Sequence, residues 1–272
     1  MATFRARVMT CNVRFPSPGD AGNLWEERRG LLARMIAESA PDVVGLQEAY
    51  RVQLAYLAES LPGYACVGRE RYGASDEEHA AILVRCDRFM VEACGTYWLS
   101  DAPDEPGSRT WKPDDHPRIV TWARLVHLPT ASRLGCLDTH FHLGDDAVRG
   151  RSAALIWGRH AAHAEFPTVL MGDFNARPDS LAHLLLTGRE PMPDGARADF
   201  RDAWEIADVR VGSAATFHRF TGQPVRDDAR IDWVLVRGPV RVTRAETVAF
   251  NEDGRYPSDH FPVIADLTIG EA

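Results

Sequence analysis

The sequence lacks paired cysteines, long apolar runs and an N-terminal apolar segment. Its five cysteines are odd in number and none belongs to a Cys-x-x-Cys pair, so we expect reduced core thiols at Cys11, Cys66, Cys86, Cys94 and Cys136. The sequence contains no run of about 18 apolar residues, which is the length needed to span a bilayer. Residues 1–8 do not resemble the apolar part of a signal peptide. These absences favour a cytoplasmic protein without a membrane span.

The sequence also lacks an excess of positive charge. The formal net charge is -8, which disfavours a protein that coats nucleic acid, because Lys and Arg supply most non-specific affinity for phosphates. The chain has 272 residues, of which 45% are hydrophobic, so it can bury a large core. We find no repeat or Gly/Ser linker and expect one domain over residues 1–272.

Apolar periodicity predicts more strands than helices. Helices are predicted over 25–39, 52–61 and 147–164, and strands over 4–12, 42–47, 64–67, 80–85, 89–98, 119–128, 133–141, 168–171, 231–236, 240–250 and 261–267. The helices fall between strands, and a short turn over 128–132 suits an antiparallel hairpin. Two packed sheets with helices on the outside account for this order.

The longest irregular stretch covers residues 100–117 and contains five prolines or glycines of the type that end regular structure. Loops of this length inside a compact domain are usually functional or disordered. The residues Arg109, Trp111, Lys112, His116 and Arg118 favour a loop that faces substrate. The alternative is a solvated connection.

Six short clusters place polar side chains at the ends of apolar strands. They contain Asn12, Glu48, His140, Asp173 with Asn175, Asp232, and Asp259 with His260. Mg²⁺ prefers oxygen ligands, usually one or two carboxylates with water and substrate phosphate, and Glu48 and Asp259 could supply them. Considered singly, Glu48 is also typical of a solvated strand end and Asn12 of a turn.

Two pairs within these clusters suggest chemistry. Asp173 and Asn175 are two residues apart, which on extended backbone directs both side chains to one side, where they could position a water and stabilise a phosphoryl oxygen. The alternative is an Asx-turn. Asp232 lies in an apolar strand, where an unpaired acid is costly, and His260 is its natural partner. A carboxylate would fix the imidazole tautomer and raise its pKa.

Six motifs follow one another along the chain: Thr10-Cys11-Asn12-Val13, Leu46-Gln47-Glu48, Asp138-Thr139-His140, Gly172-Asp173-Phe174-Asn175, Arg230-Ile231-Asp232-Trp233 and Ser258-Asp259-His260-Phe261-Pro262. Together they resemble the motifs of the endonuclease/exonuclease/phosphatase superfamily. Residues 97–123 are similar to its functionally uncharacterised bacterial branch. The resemblance implies a deoxyribonuclease I-like, four-layer α/β/β/α sandwich of two mixed sheets. It also implies phosphate-ester hydrolysis with Mg²⁺ or Mn²⁺.

The resemblance further implies roles for individual residues. Glu48 would be the principal metal ligand, with Asn12 and Asp259 close to metal or phosphate. Asp173 would orient or deprotonate the attacking water, and Asn175 and His140 would contact the phosphoryl group. His260, held by Asp232, would stabilise the transition state. This division suits in-line displacement, in which positioning and charge stabilisation provide most of the catalysis.

Arg14 departs from the pattern, because many nucleases of the superfamily have a small residue or an Asp at this position. Arg14 would weaken a second metal contact there and could bind phosphate, since Arg pairs bidentately with phosphate. The alternative is an ion pair with a nearby acid.

The substrate class stays open at this point. The acidic charge and a loop containing Trp111 favour a small phosphorylated molecule or a short oligonucleotide, with Arg14, Arg109, Trp111 and Arg118 as substrate-binding residues. The first alternative is a nuclease of single-stranded or damaged nucleic acid, whose groove would contain Arg109, Lys112, Arg118 and Arg149, with stacking on Trp98 or Trp111. The second is a catalytically silent binding module. No obligate protein partner is evident.

Overall fold

The structure, a computed structural model, describes residues 2–73, 76–160, 165–227 and 230–270. Within these ranges the strands are β1 (Phe4–Asn12), β2 (Val43–Ala49), β3 (Tyr64–Val67), β4 (His79–Arg85), β5 (Phe89–Trp98), β6 (Ile119–His127), β7 (Arg133–His140), β8 (Thr168–Asp173), β9 (Arg201–Asp202), β10 (Val209–Val211), β11 (Asp232–Arg237), β12 (Val240–Thr247) and β13 (Val263–Ile269). The helices are α1 (Trp25–Ser39), α2 (Arg51–Ser60), α3 (Asp146–Arg159), α4 (Leu181–Leu186) and α5 (Ala203–Ile206).

The strands form two mixed sheets, which pack face to face with helices outside. One sheet has the order β10-β12-β13-β1-β2-β4-β3 and the other β5-β6-β7-β8-β11-β9. Residues of both sheets, such as Val8 and Val169, form the core between them. Helices α1 and α2 cover the first sheet through residues such as Ile36, and α3 and α4 cover the second through residues such as Ile156. The predicted four-layer α/β/β/α sandwich is thus confirmed.

Most predicted elements are present, with bounds that shift by a few residues. The helix predicted over 147–164 ends at Arg159, and residues 161–164 lie outside the described part of the chain. Strand β8 continues past its predicted end at 171 to Asp173, because Asp173 still pairs with strands on both sides. Periodicity missed α4, α5, β9 and β10, which have six residues or fewer and therefore carry little periodic signal.

The pairing of strands brings the polar strand ends to one edge of the sandwich. Strand β1 runs parallel to β2, and β7 runs parallel to β8, so each pair ends on the same side. Strand β11 is antiparallel to β8 and therefore begins where β8 ends. Strand β13 is antiparallel to β1, which places the segment just before Val263 beside the end of β1. Every predicted cluster consequently lies at this edge.

The expectation of core thiols is correct for two cysteines only. All five cysteines are free, but Cys66, Cys86 and Cys94 are exposed. Cys66 and Cys94 lie on β3 and β5, which are edge strands, and Cys86 lies in the turn after β4. An apolar run at a sheet edge does not bury both faces, which explains the error. In the described residues, no helix is long and apolar enough to cross a membrane.

A buried carboxyl group lies between the two sheets, close to the edge that carries the polar strand ends. Asp138 on β7 is fully buried and accepts a hydrogen bond from Gln47 Nε2 (2.5 Å), while no described residue forms a hydrogen bond with its Oδ2. Gly45 on β2 makes room for it, because a Cβ there would clash with the Asp138 carboxyl group. Burial raises the pKa of Asp138 well above its usual value, so this group is held as the neutral acid.

We expect Asp138→Asn to change how stability depends on pH. A carboxyl group whose pKa is raised by folding holds its proton more tightly in the folded state, so its contribution to stability is complete below the unfolded-state pKa and declines as pH rises. The amide of the variant imitates the neutral acid and does not titrate. The free energy of unfolding of the variant should exceed that of the wild type by more at about pH 8 than at about pH 5, and this difference should grow by about 1.4 kcal/mol per pH unit up to the folded-state pKa.

Urea denaturation at both pH values measures this difference. Asp194→Asn, at an exposed position, is the matched control and should follow the wild type. An Asp138→Asn variant whose stability falls with pH as steeply as that of the wild type would contradict the neutral state of Asp138.

Candidate active site

Three site residues are aligned by strand register. His140 is the Cα partner of Asp173 between β7 and β8, and Asp173 is the Cα partner of Asp232 between β8 and β11. His140 Nε2 lies 3.5 Å from Asp173 Oδ2, and His260 Nε2 lies 3.9 Å from the same oxygen. Asn12 Nδ2 donates to it as well, at 3.0 Å. Asp173 is therefore the centre of the site.

The turn after Asp173 does not have the extended backbone that the spacing predicted. Asn175 has φ 47°, in the left-handed region that few residues other than glycine adopt, and its N–H donates to Asp173 Oδ1 (2.9 Å). The turn is therefore the Asx-turn that the sequence left open as the alternative to a pair on extended backbone. The Asn175 side chain nevertheless reaches the site, because Nδ2 lies 2.9 Å from His140 Nε2. Gly172 is required before Asp173, since a Cβ there would clash with the carbonyl of Thr139.

Each histidine is held from behind by a buried carboxylate. His260 Nδ1 lies 2.9 Å from Asp232 Oδ2, which confirms the predicted pair, and His140 Nδ1 lies 2.6 Å from Glu78 Oε1. In both rings the carboxylate takes Nδ1–H and leaves Nε2 directed at Asp173. A carboxylate in this position fixes the tautomer and orientation of the ring. The site thus contains two such pairs, of which the sequence indicated one.

The electrostatic environment makes His260 a cation at neutral pH. Burial alone would lower the pKa of His260, but the carboxylates of Asp232, Asp173 and Asp259 outweigh burial and raise this pKa to about 10. Burial also raises the pKa of the Asp259 carboxyl group; His260 opposes this effect and the carboxylate of Glu48 adds to it. Glu48 and Asp259 are therefore close enough to repel each other.

The residues predicted to bind a metal are Asn12, Glu48 and Asp259, and Asn12 contacts Asp173. Asn12 Nδ2 donates to Glu48 Oε1 (3.1 Å) as well as to Asp173, while Asn12 Oδ1 accepts from the N–H of Arg14 (2.9 Å). The Asn12 amide thus links the two acids, and its role as a ligand stays a prediction. Glu48 and Asp259 offer carboxylate oxygens that repel each other, and such an all-oxygen donor set fits Mg²⁺ or Mn²⁺.

Asp173, Asp232 and His260 also lie close enough together to ligate one ion. The His260 imidazole is already charged and bonded to Asp232, so it cancels one of the two carboxylate charges of this group. A cation would have to displace that proton. Glu48 and Asp259 therefore stay the predicted metal ligands.

Arg14 forms the ion pair that was the alternative to phosphate binding. Its Nε and Nη2 donate to the two oxygens of Asp20 at 2.8 and 2.9 Å. Its guanidinium also lies 3.9 Å from Glu48 Oε2 and 3.9 Å from Asp259 Oδ2. The hydrogen bonds to Asp20, together with the carboxylates of Asp259 and Glu48, raise the pKa of Arg14. Arg14 is thus a permanent cation beside the candidate metal ligands.

The irregular loop after β5 contacts the site at its C-terminal end only. Arg118 is buried, with Nη1 3.7 Å from Glu78 Oε1, so it supports Glu78 and His140 from behind. Arg109 is exposed and donates to the carbonyl of Asp115. Trp111 donates its indole N–H to Asp101 (2.7 Å). None of these three contacts Asp173 in the described structure.

The basic groove expected for a nuclease is not continuous. Lys112 Nζ lies 3.9 Å from Asp145, and Arg149 donates to the carbonyl of His142 (3.2 Å). Arg118 is buried, as described above. Trp98, proposed as a stacking residue, is only 2% exposed and donates to the carbonyl of Arg71, so it is part of the core and that prediction is wrong.

Two residues of the site were missed in the sequence. Burial opposes the charged form of Glu78, but His140, Arg118 and Arg71 outweigh burial and hold its pKa well below the usual range. Its signal was weak, because it belongs to the acidic run 76–78 before β4. The sequence signal for Arg28 was stronger, because this charged residue lies on the buried face of α1, one turn after Trp25.

Arg28 ties together segments from opposite ends of the chain. Its Nη1 donates to the carbonyls of Val13 (2.6 Å) and Pro257 (2.9 Å), and its Nη2 donates to the carbonyl of Arg14 (2.5 Å). Ser258 Oγ adds a bond to the carbonyl of Asn12 (2.5 Å). These bonds fix the spacing between the end of β1 and the segment that carries Asp259.

Comparisons with known proteins identify the family and agree with the fold. The sequence model of the Endonuclease/Exonuclease/phosphatase family matches residues 9–260. Among solved structures, an endonuclease/exonuclease/phosphatase from Bacteroides vulgatus is 31% identical with a TM-score of 0.89, and the alignment covers 98% of this chain and 99% of that one. A mannosyl-6-phosphatase from Bacteroides thetaiotaomicron is 28% identical with a TM-score of 0.86, over 96% and 99% of the two chains.

Curated relatives are more distant. Nocturnin from Drosophila melanogaster is 23% identical over 284 aligned positions, which cover 90% of this chain and 42% of the relative. The chain spans about half the length of the curated relatives that it matches. The family match and the solved structures, which cover nearly all of this chain, are therefore more informative about it than the curated relatives are.

We expect Glu78→Gln to destabilise the fold. The substitution removes the charge that pairs with Arg118 and, together with Glu77, with Arg71, both buried, and breaking a buried ion pair from one side costs about 3–5 kcal/mol. Urea denaturation measures the loss. Glu92→Gln is the matched control, because Glu92 pairs with Arg133 at the surface and should matter little. Equal stability of Glu78→Gln and wild type would show that Glu78 does not hold this cluster together.

Proposed function

The chain belongs to the endonuclease/exonuclease/phosphatase family, and from this membership and the geometry of the site we propose that it is a divalent-metal-dependent hydrolase of phosphoric esters. Its proposed substrate is a small phosphorylated molecule, cleaved by in-line attack of water. The family contains phosphatases and nucleases, so membership supports phosphate-ester chemistry but does not choose a substrate.

One observation carries the proposal: two imidazoles, each held by a carboxylate, direct Nε2 at one oxygen of Asp173. The distances to Asp173 Oδ2 are 3.5 Å for His140 and 3.9 Å for His260. The space that these groups border offers one carboxylate that can accept a proton, the His260 Nε2–H, which can donate a hydrogen bond, and the Asn175 amide beside His140 Nε2. This combination suits a water nucleophile attacking an anionic group.

In the proposed mechanism, Asp173 orients the attacking water and accepts its proton. Its Oδ1 accepts from the N–H of Asn175, whereas Oδ2 is the oxygen beside the Nε2 atoms of His140 and His260 and is the one proposed to face the water. His260 is a cation before substrate binds, and its Nε2–H stabilises the charge that develops on the phosphoryl oxygens. His140 and the Asn175 amide contact the same group from the other side. These donors are held in place before reaction, which avoids the cost of reorganisation.

Glu48 and Asp259 would hold the divalent ion, with Asn12 orienting Glu48. The ion would supply a Lewis acid that polarises the phosphoryl oxygen and stabilises the leaving oxygen. Asn12 donates to both Glu48 and Asp173 and therefore sets the distance between the proposed metal ligand and the proposed base.

A cavity beside Asn175 supports a hydroxyl-rich alcohol, such as a sugar, as the leaving group. It measures about 390 Å³, and its lining includes Asp146, Arg149, Asn175 and Ser180. Charged side chains of both signs suit several hydroxyl groups, which donate and accept hydrogen bonds, better than a planar apolar base. The similarity to a mannosyl-6-phosphatase over nearly the whole chain agrees with a sugar phosphate.

We expect Asp173→Asn and His260→Ala to lower kcat by about three orders of magnitude, because they remove the proton acceptor and a preorganised cation. Hydrolysis of 4-nitrophenyl phosphate with Mg²⁺ or Mn²⁺ is the assay, and circular dichroism checks the fold. Asp87→Asn, in the exposed turn after β4, is the control and should keep wild-type activity. Wild-type turnover in either site variant would overturn the assigned roles.

We expect Arg149→Gln to raise KM for hexose 6-phosphates by about tenfold, since it removes a charge-assisted hydrogen bond to a hydroxyl group. KM for 4-nitrophenyl phosphate, which has no such hydroxyl, should stay constant. The same panel includes a phosphodiester and a labelled oligonucleotide. Rapid cleavage of the oligonucleotide with no turnover of sugar phosphates would reverse the choice of substrate in favour of a nuclease.

A further inference from the structure

Strand β2 is irregular at its end, where Glu48 lies. Asn12 is the Cα partner of Gln47, so these two side chains share a face of the sheet, yet the carboxylate of Glu48 also reaches Asn12 (3.1 Å). In a regular strand, the side chains of neighbours such as Gln47 and Glu48 point to opposite faces. Glu48 has φ 59°, a left-handed value, and the pairing of β2 with β4 shifts register at this point. The irregularity therefore turns the Glu48 carboxylate to the face of Gln47, at a cost in backbone strain.

Gln47 is held by hydrogen bonds from three directions. Its carbonyl accepts from the N–H of Val13 (3.0 Å), its Oε1 accepts from Thr10 Oγ1 (3.3 Å), and its Nε2 donates to Asp138 Oδ1 (2.5 Å). Thr10 and Gln47 belong to one sheet, whereas Asp138 belongs to the other. All three side chains are fully buried. Thr10, Gln47 and Asp138 thus form a hydrogen-bonded bridge across the gap between the sheets.

Stability alone does not account for this bridge. No described residue forms a hydrogen bond with Asp138 Oδ2, and a buried polar atom without a partner costs free energy. Strand β2 also has no side chain at Gly45, where a Cβ would clash with the Asp138 carboxyl group. Two apolar side chains could fill this space without leaving a polar atom unsatisfied. A bridge that is kept despite these costs indicates a role in geometry.

The bridge joins the two halves of the site. Gln47 is the neighbour of Glu48 in the chain, and Asp138 precedes His140 by two positions on β7, so the Asp138 and His140 side chains share a face. Glu48 follows the first sheet and His140 the second. The bond between Gln47 and Asp138 therefore helps to set the distance from the proposed metal ligand to the proposed phosphate-binding side.

We infer that Gln47 is a positioning residue, which is anchored by Asp138 and holds Glu48 in its left-handed conformation at the edge of the site. The inference rests on the proposed function, in which Glu48 binds the divalent ion. Gln47 and Asp138 are fully buried, so they act through Glu48 and not on substrate. Removing a residue that orients a metal ligand typically weakens metal affinity by about 10- to 100-fold.

Gln47→Met removes the bridge and nearly conserves the side-chain volume. We expect the affinity of the substrate-free protein for Mn²⁺, measured by electron paramagnetic resonance of the free ion, to fall by about tenfold. The kcat for 4-nitrophenyl phosphate should fall by about tenfold as well, since a small displacement of a catalytic group slows the reaction. Asp138→Asn keeps an acceptor for Gln47 Nε2 and should retain the wild-type affinity.

The double variant Gln47→Met/Asp138→Leu separates positioning from stability. Replacing both partners by apolar groups of similar shape removes the unsatisfied atoms, so in urea it should be at least as stable as Gln47→Met. Its Mn²⁺ affinity should stay as low as that of Gln47→Met, because the anchor of Glu48 is still missing. A double variant that regains the wild-type affinity together with its stability would overturn the inference.

Thr168→Val is the matched control. Thr168 Oγ1 donates to the carbonyl of Phe166 (3.2 Å) at the far end of β8, so the variant loses a buried hydrogen bond away from the site. Its Mn²⁺ affinity should equal that of the wild type. Affinity that falls as much as in Gln47→Met would show a general loosening of the core and would also overturn the inference.

Thr10→Val keeps the test decisive if Gln47→Met does not fold. It conserves shape and removes only the longer bond, from Thr10 to Gln47 Oε1, so Mn²⁺ affinity should fall by about threefold. Unchanged affinity in Thr10→Val would then reject the role of Gln47.

Glu48→Gln distinguishes this inference from the proposed function. Affinity for Mn²⁺ that falls in Glu48→Gln but not in Gln47→Met would retain the function and remove the positioning role. Affinity that falls in both, in a protein that hydrolyses no phosphate ester, would retain the positioning role and remove the function. Unchanged affinity in Glu48→Gln would overturn both.

Discussion

The pairing of β8 with a strand on each side is the constraint on which the site depends. It sets His140, Asp173 and Asp232 side by side in one row across three strands. A slip of one residue would turn any of these side chains to the opposite face of the sheet. The row is held by backbone hydrogen bonds and the apolar core beneath it. The chemistry therefore depends on the same interactions that stabilise the fold.

The charges at this edge are arranged in complementary groups. Asp232 balances His260, and Asp20 balances Arg14. Glu78 lies between His140 and two buried arginines. An isolated buried charge would be costly, and grouping reduces that cost while fixing the direction of each side chain. Glu48 and Asp259 differ, because they repel each other and are balanced only in part.

Residue type and order along the chain were sufficient to identify the strand-end clusters and the fold, because the motifs follow strands whose periodicity is clear. Sequence could not supply the partner of His140. Glu78 lies 62 positions away in an acidic run that looks solvated. Nor could it give the left-handed backbone of Asn175, since spacing rules assume extended strands. Arg28 was detectable as a charge on an apolar helix face, but its acceptors are carbonyl groups, which no side-chain pattern reveals.

The bonds from Arg28 and Ser258 join residues 12–14 to residues 257–258, which are separated by nearly the whole chain. During synthesis, the N-terminal strand and helix emerge from the ribosome long before the segment that completes their surroundings. Until residues 257–260 arrive, the charges of Arg14, Arg28 and Glu48 lack part of their final environment. The edge that carries the candidate site is therefore among the last regions to be assembled, and a nascent chain lacks the complete site until its last strand has emerged.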